Sequence, residues 1–179
     1  MNKNKNIKNI LFISNKSSRN LIGGRENLSH LIEKTLKNIF GDNFFSLRLE
    51  KKKITSLKDI YFALFGNIDG INSNKIKIIK NLIKNNKINY IFIDGTNLGK
   101  ISRKIANKNI KVITFCHNVE TNFFLKQFTT CMNLRNLYIL LVNFLAEFQS
   151  VYFSNFLIFL NERDKLMMNK YFFKKKSFI

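Results

Sequence analysis

"INYIFIDGTNLGKISRKIANKNIKVITFCHN", residues 88–118, decides the fold. It holds two apolar runs, residues 88–95 and 110–118. Each is near-continuous rather than alternating, which is how a strand covered on both faces by helices reads. Between them Leu98, Ile101 and Ile105 recur at three- and four-residue spacing, the stripe of an amphipathic helix. The gap from Asp94 to Ile110 fits one crossover helix joining two parallel strands.

The same pattern extends in both directions. "IKNILFIS" (residues 7–14) and "FLIFLN" (residues 156–161) read as two more buried strands. "FFSLRLE" (residues 44–50) alternates and belongs nearer an edge. Leu28, Leu31, Ile32, Leu36, Ile39 and Phe40 form one helical stripe, and Ile76, Ile79, Leu82 and Ile83 another. Residues 51–74 are less regular, with a short helix expected in "LKDIYFALF". Strands alternating with helices predict an α/β fold: a Rossmann-like parallel sheet with helices on both faces. No repeat and no linker rich in Gly, Pro or Ser divides the chain, so residues 1–179 are expected to form a single domain.

Composition guides function weakly. Asn, Lys, Ile and Phe make up more than half of the chain, and Pro is absent, as a coding sequence drifted towards A and T would leave it. The formal net charge is +20. Its lysines are scattered, densest at Lys51-Lys52-Lys53 and Lys174-Lys175-Lys176, and no basic motif interleaved with aromatics accompanies them. Nucleic acid is therefore a disfavoured partner, and peripheral contact with anionic lipid headgroups is favoured over it. Two cysteines, Cys116 and Cys131, make neither a disulfide framework nor a zinc site. "ILFIS" is too short for a signal-peptide core. "LYILLVNFLAEF" (residues 137–148) falls short of the ~20 residues that span a bilayer. The expectation is a cytoplasmic protein, soluble or peripheral at the inner face of the membrane.

Open parallel sheets bind ligands beyond the carboxyl ends of their strands. Polar residues gather at those ends here. Gly23-Gly24 precede a helix, where the backbone can approach a phosphate or a sugar oxygen and the helix N-terminus supplies N–H groups; a plain loop-to-helix turn is the favoured account of them. Asp94-Gly95 reads as a turn with Thr96 or Asn97 capping the next helix, or as a carboxylate that holds a hydroxyl or a backbone N–H. Asn161 and Asp164 have the spacing of a helix cap. His117 is the sharpest candidate. It follows an apolar strand on the ligand edge, with Glu120 three residues on, close enough to orient the imidazole and favour its charged form. Cys116 should point to the opposite side of that strand. Too few metal-binding side chains are grouped here for a metal site.

"ILFIS", "GGRENLSHLIEKTL", "YIFIDGTNLGKISRKI", "VITFCHNVETNFF" and "AEFQSVYFSNFLIFLNERDKLMMNKYF" together resemble the N-terminal half of GT-B-type glycosyltransferases of the group 1, or family 4, class. The order and spacing agree across nearly the whole chain, and "HNVE" followed by "LNERD" is the most specific part. The chain looks most like enzymes of bacterial surface-polysaccharide assembly. The resemblance implies two Rossmann-like domains with the active site between them, the N-terminal one holding the acceptor. It implies transfer of a sugar from a nucleotide-sugar, a donor substrate rather than a cofactor, to a glycan or lipid-linked acceptor, with no protein-bound metal. On it, Gly23 and Gly24 would approach the donor phosphate or sugar, and His117 would be the catalytic contact to the transferred sugar or acceptor. Asp94, Asn118 and Glu120 would complete the substrate-binding set. The chain departs from the family soon after "LNERD". The pair of glutamates that marks the C-terminal donor-binding domain is absent from it. The expectation is a truncated N-terminal domain, inactive alone and completed by a separate C-terminal domain or subunit. The rival expectations are an inactive remnant, the partner subunit of a split enzyme, and a basic protein that binds membrane surfaces or nucleic acid.

Overall fold

The computed structural model describes residues 8–15, 23–50, 56–172 and 177–178. The sequence's two lysine triplets, and residues 16–22, lie outside them. In chain order the elements are β1 (Asn9–Asn15), α1 (Gly24–Phe40), β2 (Phe44–Leu49), α2 (Leu57–Leu64), α3 (Ser73–Asn85), β3 (Ile88–Asp94), α4 (Gly99–Ile105), β4 (Lys111–Cys116), α5 (Glu120–Thr130), α6 (Leu134–Phe153), β5 (Phe156–Phe159), α7 (Glu162–Phe172) and β6 (Ser177–Phe178). Short 3₁₀ turns precede β2 and α4.

The strands form one parallel sheet in the order β2-β1-β3-β4-β5-β6. The alternating "FFSLRLE" segment is an edge strand, as its half-exposed pattern requires. The apolar runs lie inside because both their faces are covered. From β1, Leu11 and Ile13 pack with Ile91 and Ile93 of β3 against Ile76 and Ile79 of α3 and Ile101 and Ile105 of α4. Ile10 and Phe12 point the other way, with Phe92 and Phe115, onto Leu28, Ile32, Leu36 and Phe40 of α1. The fold is thus a Rossmann-like α/β sheet with helices on both faces. A third cluster joins Cys116, Leu157 and Phe159 to Val151 of α6 and Met168 and Phe172 of α7. Cys116 therefore faces away from the side of Phe115, as strand alternation demands.

Because β2 lies outside β1 while β3 lies on its other side, the chain reverses direction across the sheet between β1 and β3. At such a switch point the connections diverge and leave a crevice at the carboxyl ends of the two strands. Two glycines shape its surroundings. Gly95 has φ of 120°, and a Cβ there would sit 2.7 Å from Arg25 Nη2. Gly99 lets α4 close onto α6: a Cβ there would overlap the Ala146 carbonyl and lie 2.7 Å from Ser150 N. The helix over residues 137–148 is longer than its apolar run. It starts after Asn133, whose Oδ1 accepts from Asn136 N at 2.8 Å. Among the described residues no helix is long and apolar enough to cross a membrane.

Candidate functional site at the carboxyl edge of the sheet

Asp94 ends β3, and His117 follows β4 by one residue. The two strands are neighbours in parallel register, Asp94 opposite Phe115. His117, two residues past Phe115, therefore comes back to the same face. Its Nε2 and Asp94 Oδ1 are 2.7 Å apart, and both side chains are only 4% exposed. A carboxylate accepts, so Nε2 carries the hydrogen that faces Asp94, and in that tautomer the lone pair lies on Nδ1. Asp94 Oδ2 accepts from Ser29 Oγ of α1 at 2.5 Å. The ring of Phe115 meets the imidazole edge-on, with centroids 5.0 Å apart. His117 is thus held both by the carboxylate and by the aromatic ring, and the carboxylate in turn by α1.

The sequence assigned the orienting carboxylate to Glu120, and the structure corrects that. Asp94, 23 residues upstream, makes the short contact. Glu120 opens α5, after Val119 rather than Asn118, and turns towards Arg25 of α1, 3.7 Å from its Nη1. Asn118 is exposed, with its amide 3.5 Å from Glu120 Oε1. Burial pushes the Glu120 carboxyl above its ordinary range, against the opposing pull of Arg25 and then His117.

Thr96 and Asn97 do not cap α4, which starts after Leu98 with no side-chain cap. Asn97 bridges instead: its Oδ1 accepts from Arg25 Nη2 at 3.2 Å, and its amide donates to Asp69. Thr96 Oγ1 donates to Glu147 of α6 at 3.2 Å. Glu147 is fully buried and also accepts from the backbone N–H groups of Glu120 (3.0 Å) and Thr121 (2.9 Å). The N-terminus of α5 is thereby capped from another helix, so two of its free donors are already used by a protein carboxylate. By contrast, among the described residues the N-terminus of α1 has no side-chain cap hydrogen bond at Gly23, and the Glu26 carboxylate of its first turn lies over that glycine. Among the described residues a Cβ on Gly24 would meet nothing within 4 Å, so their packing gives no reason for a glycine there. At Asn161 the expected cap is present, its Oδ1 accepting from Asp164 N at 2.8 Å.

Of the residues expected at the site, Asp94 and His117 are in direct contact. Glu120 and Asn118 flank them. Gly23 and Gly24 open the helix whose next residue, Arg25, reaches both Glu120 and Asn97. Sequence reasoning missed Arg25, Ser29 and Glu147 and gave Asn97 a different task. Arg25 and Ser29 sit four apart, on one helical face, directly after the glycine pair, and that spacing was the available signal. Among the described residues no three His, Cys, Asp or Glu side chains gather as a metal site would need.

Desolvation is the main cause that raises Glu147 above the ordinary carboxylate value of 4.5, against the hydrogen bonds it accepts. A raised acid binds its proton more tightly folded than unfolded. Its contribution to stability is therefore full below the unfolded value and is lost as pH rises through the folded one. Unfolding midpoints recorded from mildly acidic to neutral pH should fall with rising pH, and Glu147→Gln should flatten that slope. Parallel slopes in the two proteins would show that Glu147 is not the titrating group.

The fold and this edge define a Rossmann-like α/β sheet with a buried Asp–His pair at the carboxyl ends of its strands. No protein-family model and no curated protein matches the chain.

Proposed function

We propose that this chain is the acceptor-side domain of a GT-B-type glycosyltransferase that moves a sugar from a nucleotide-sugar to a glycan or lipid-linked acceptor. The observation that carries the reading is the 2.7 Å Asp94–His117 contact at the carboxyl edge of the sheet, beside the N-terminus of α1. With Nε2–H held by Asp94, Nδ1 is the basic atom. It takes the proton of an acceptor hydroxyl as that oxygen bonds to the anomeric carbon and the bond from that carbon to the diphosphate oxygen breaks. The α1 N-terminus at Gly23-Gly24, with the Arg25 guanidinium, suits the charge released on the diphosphate. Asn118 and Glu120 suit sugar hydroxyls. The donor-binding half belongs to a separate domain or subunit in this reading, and the chain works at the inner face of the membrane.

Burial favours a second reading. At 4% exposure, Asp94 and His117 also tie the end of β3 to the end of β4. In a remnant without activity the pair keeps that structural role alone.

The test is transfer of a labelled sugar to acceptor by this chain together with a candidate donor-binding domain, for wild type and Gly24→Val. Because no described residue meets a Cβ at Gly24, the variant should fold as wild type, its unfolding midpoint within about 3 °C. A side chain at the helix N-terminus should cut transfer about tenfold or more by blocking the diphosphate. Unchanged transfer in a folded variant removes the α1 N-terminus from the site.

A further inference from the structure

The loop between α2 and α3 does more than join two helices. Ile68 and Ile71 are buried, and the Ile71 N–H donates to the Ile68 carbonyl at 2.9 Å. The two residues between them, Asp69 and Gly70, have φ of 50° and 81°. That is the pattern of a tight type I′ turn, which favours Asp followed by Gly. A Cβ on Gly70 would overlap the Glu50 carbonyl, so the turn lies against the chain just past β2. It delivers the Asp69 carboxylate to the carboxyl edge of the sheet, where the Asn97 amide donates to it.

A carboxylate only accepts, and a guanidinium only donates. Asn97, 8% exposed, stands between the two. Its N–H₂ must face Asp69 and its carbonyl must face Arg25, and Oδ1 does accept from Arg25 Nη2 at 3.2 Å. Asp69 thus sets which way the amide lies. Gly95 leaves room for the contact: a Cβ there would come within 2.5 Å of Asn97 Oδ1 and 2.7 Å of Arg25 Nη2. On the other side Glu120 Oε1 lies 3.7 Å from Arg25 Nη1. The guanidinium is held from two sides, yet the Arg25 side chain is 42% exposed. A long side chain ordinarily loses rotamer freedom when it grips a ligand. Here an amide orders it beforehand, without adding a second negative partner.

The transfer chemistry uses Arg25 but gives Asp69 and Asn97 no task. We propose that Asp69 is a positioning residue that acts through Asn97 to hold the Arg25 guanidinium ready for the diphosphate released in transfer. The identity of that anion rests on the transfer reading. The fixing of the guanidinium does not, and the two can be measured apart.

Asp69→Asn is the variant that tests this role. Asn-Gly is a preferred type I′ pair, so the turn should survive. The introduced amide can offer N–H₂ to Asn97, which lets the Asn97 amide turn over and point its own N–H₂ at Arg25. Two measurements on the full chain read the result, at roughly 0.15 M salt to screen the diffuse attraction of a chain of net charge +20. The first is the heteronuclear Overhauser effect of the Arg25 Nε–H, identified by its disappearance in Arg25→Ala. It should be that of an ordered group in wild type and of a mobile side chain in Asp69→Asn. The reversed pair, Asp69→Asn with Asn97→Asp, should restore the order, because an amide at the first position can donate to a carboxylate at the second that accepts from Arg25. The second measurement is affinity for inorganic pyrophosphate, which should fall about fivefold or more in both Arg25→Ala and Asp69→Asn. An Arg25 signal as ordered in Asp69→Asn as in wild type overturns the proposal, and so does a reversed pair that stays mobile. Affinity lost in Arg25→Ala but kept in Asp69→Asn overturns it while leaving Arg25 its part in transfer. Affinity unchanged in Arg25→Ala takes the diphosphate away from Arg25, and the proposal falls together with that part of the transfer reading.

Discussion

Glu147→Ala should lower stability by roughly 3–4 kcal/mol and the unfolding midpoint by about 10 °C. The carboxylate accepts three hydrogen bonds, from Glu120 N, Thr121 N and Thr96 Oγ1, in a place with no solvent access. Val119, the residue before α5, supplies no side-chain cap, so Glu147 performs that task from α6. Removing it leaves two helix N–H groups and a hydroxyl without that partner, and each buried orphan costs about 1–3 kcal/mol. The cost of desolvating the carboxylate, which raises its pKa, does not cancel this. Truncation returns the desolvation of one group but strands three others. Thermal unfolding followed by circular dichroism checks it. A loss under about 1 kcal/mol would mean that water or a shift of α5 replaces the cap.

Asp94→Asn should leave the fold largely in place and cut sugar transfer about a hundredfold or more. The introduced amide can turn its N–H₂ towards His117 and stabilise the other tautomer, with the hydrogen on Nδ1. The ring's lone pair then points at that amide rather than at an acceptor hydroxyl. Ser29 Oγ keeps a partner in the amide oxygen, which limits the structural cost. The rate constant at saturating donor and acceptor is the quantity to read. A loss confined to the Michaelis constant would assign Asp94 to binding alone.

The fold was legible because the buried strands are apolar on both faces. The runs at residues 7–14, 88–95, 110–118 and 156–161 mark β1, β3, β4 and β5 to within a few residues, and the alternation of residues 44–50 marks the edge. The cap of α7 was local and therefore readable, while the Ser56 cap of α2, equally local, was not read. What escaped depends on contacts between distant segments. The partners of Asn97 lie at Asp69 and Arg25, and Thr96 and the start of α5 both lead to Glu147. Local spacing suggested helix capping for Thr96 and Asn97, and tertiary partners took both side chains. His117 and Asp94 were singled out separately. Their pairing follows only once β3 and β4 are neighbours in the observed register. Nothing in the apolar pattern placed β3 beside β1 with β2 outside, and that order creates the switch point.

In the proposed mechanism His117 takes the acceptor proton in sugar transfer. Its most direct test is the rate of labelled-sugar transfer at saturating substrates for wild type and His117→Ala, each with the same donor-binding domain. The account predicts a loss of about a hundredfold or more, with the Michaelis constant for the nucleotide-sugar nearly unchanged. Transfer by a folded His117→Ala protein at the wild-type rate would contradict it and leave the Asp94–His117 pair as a tie between two strands.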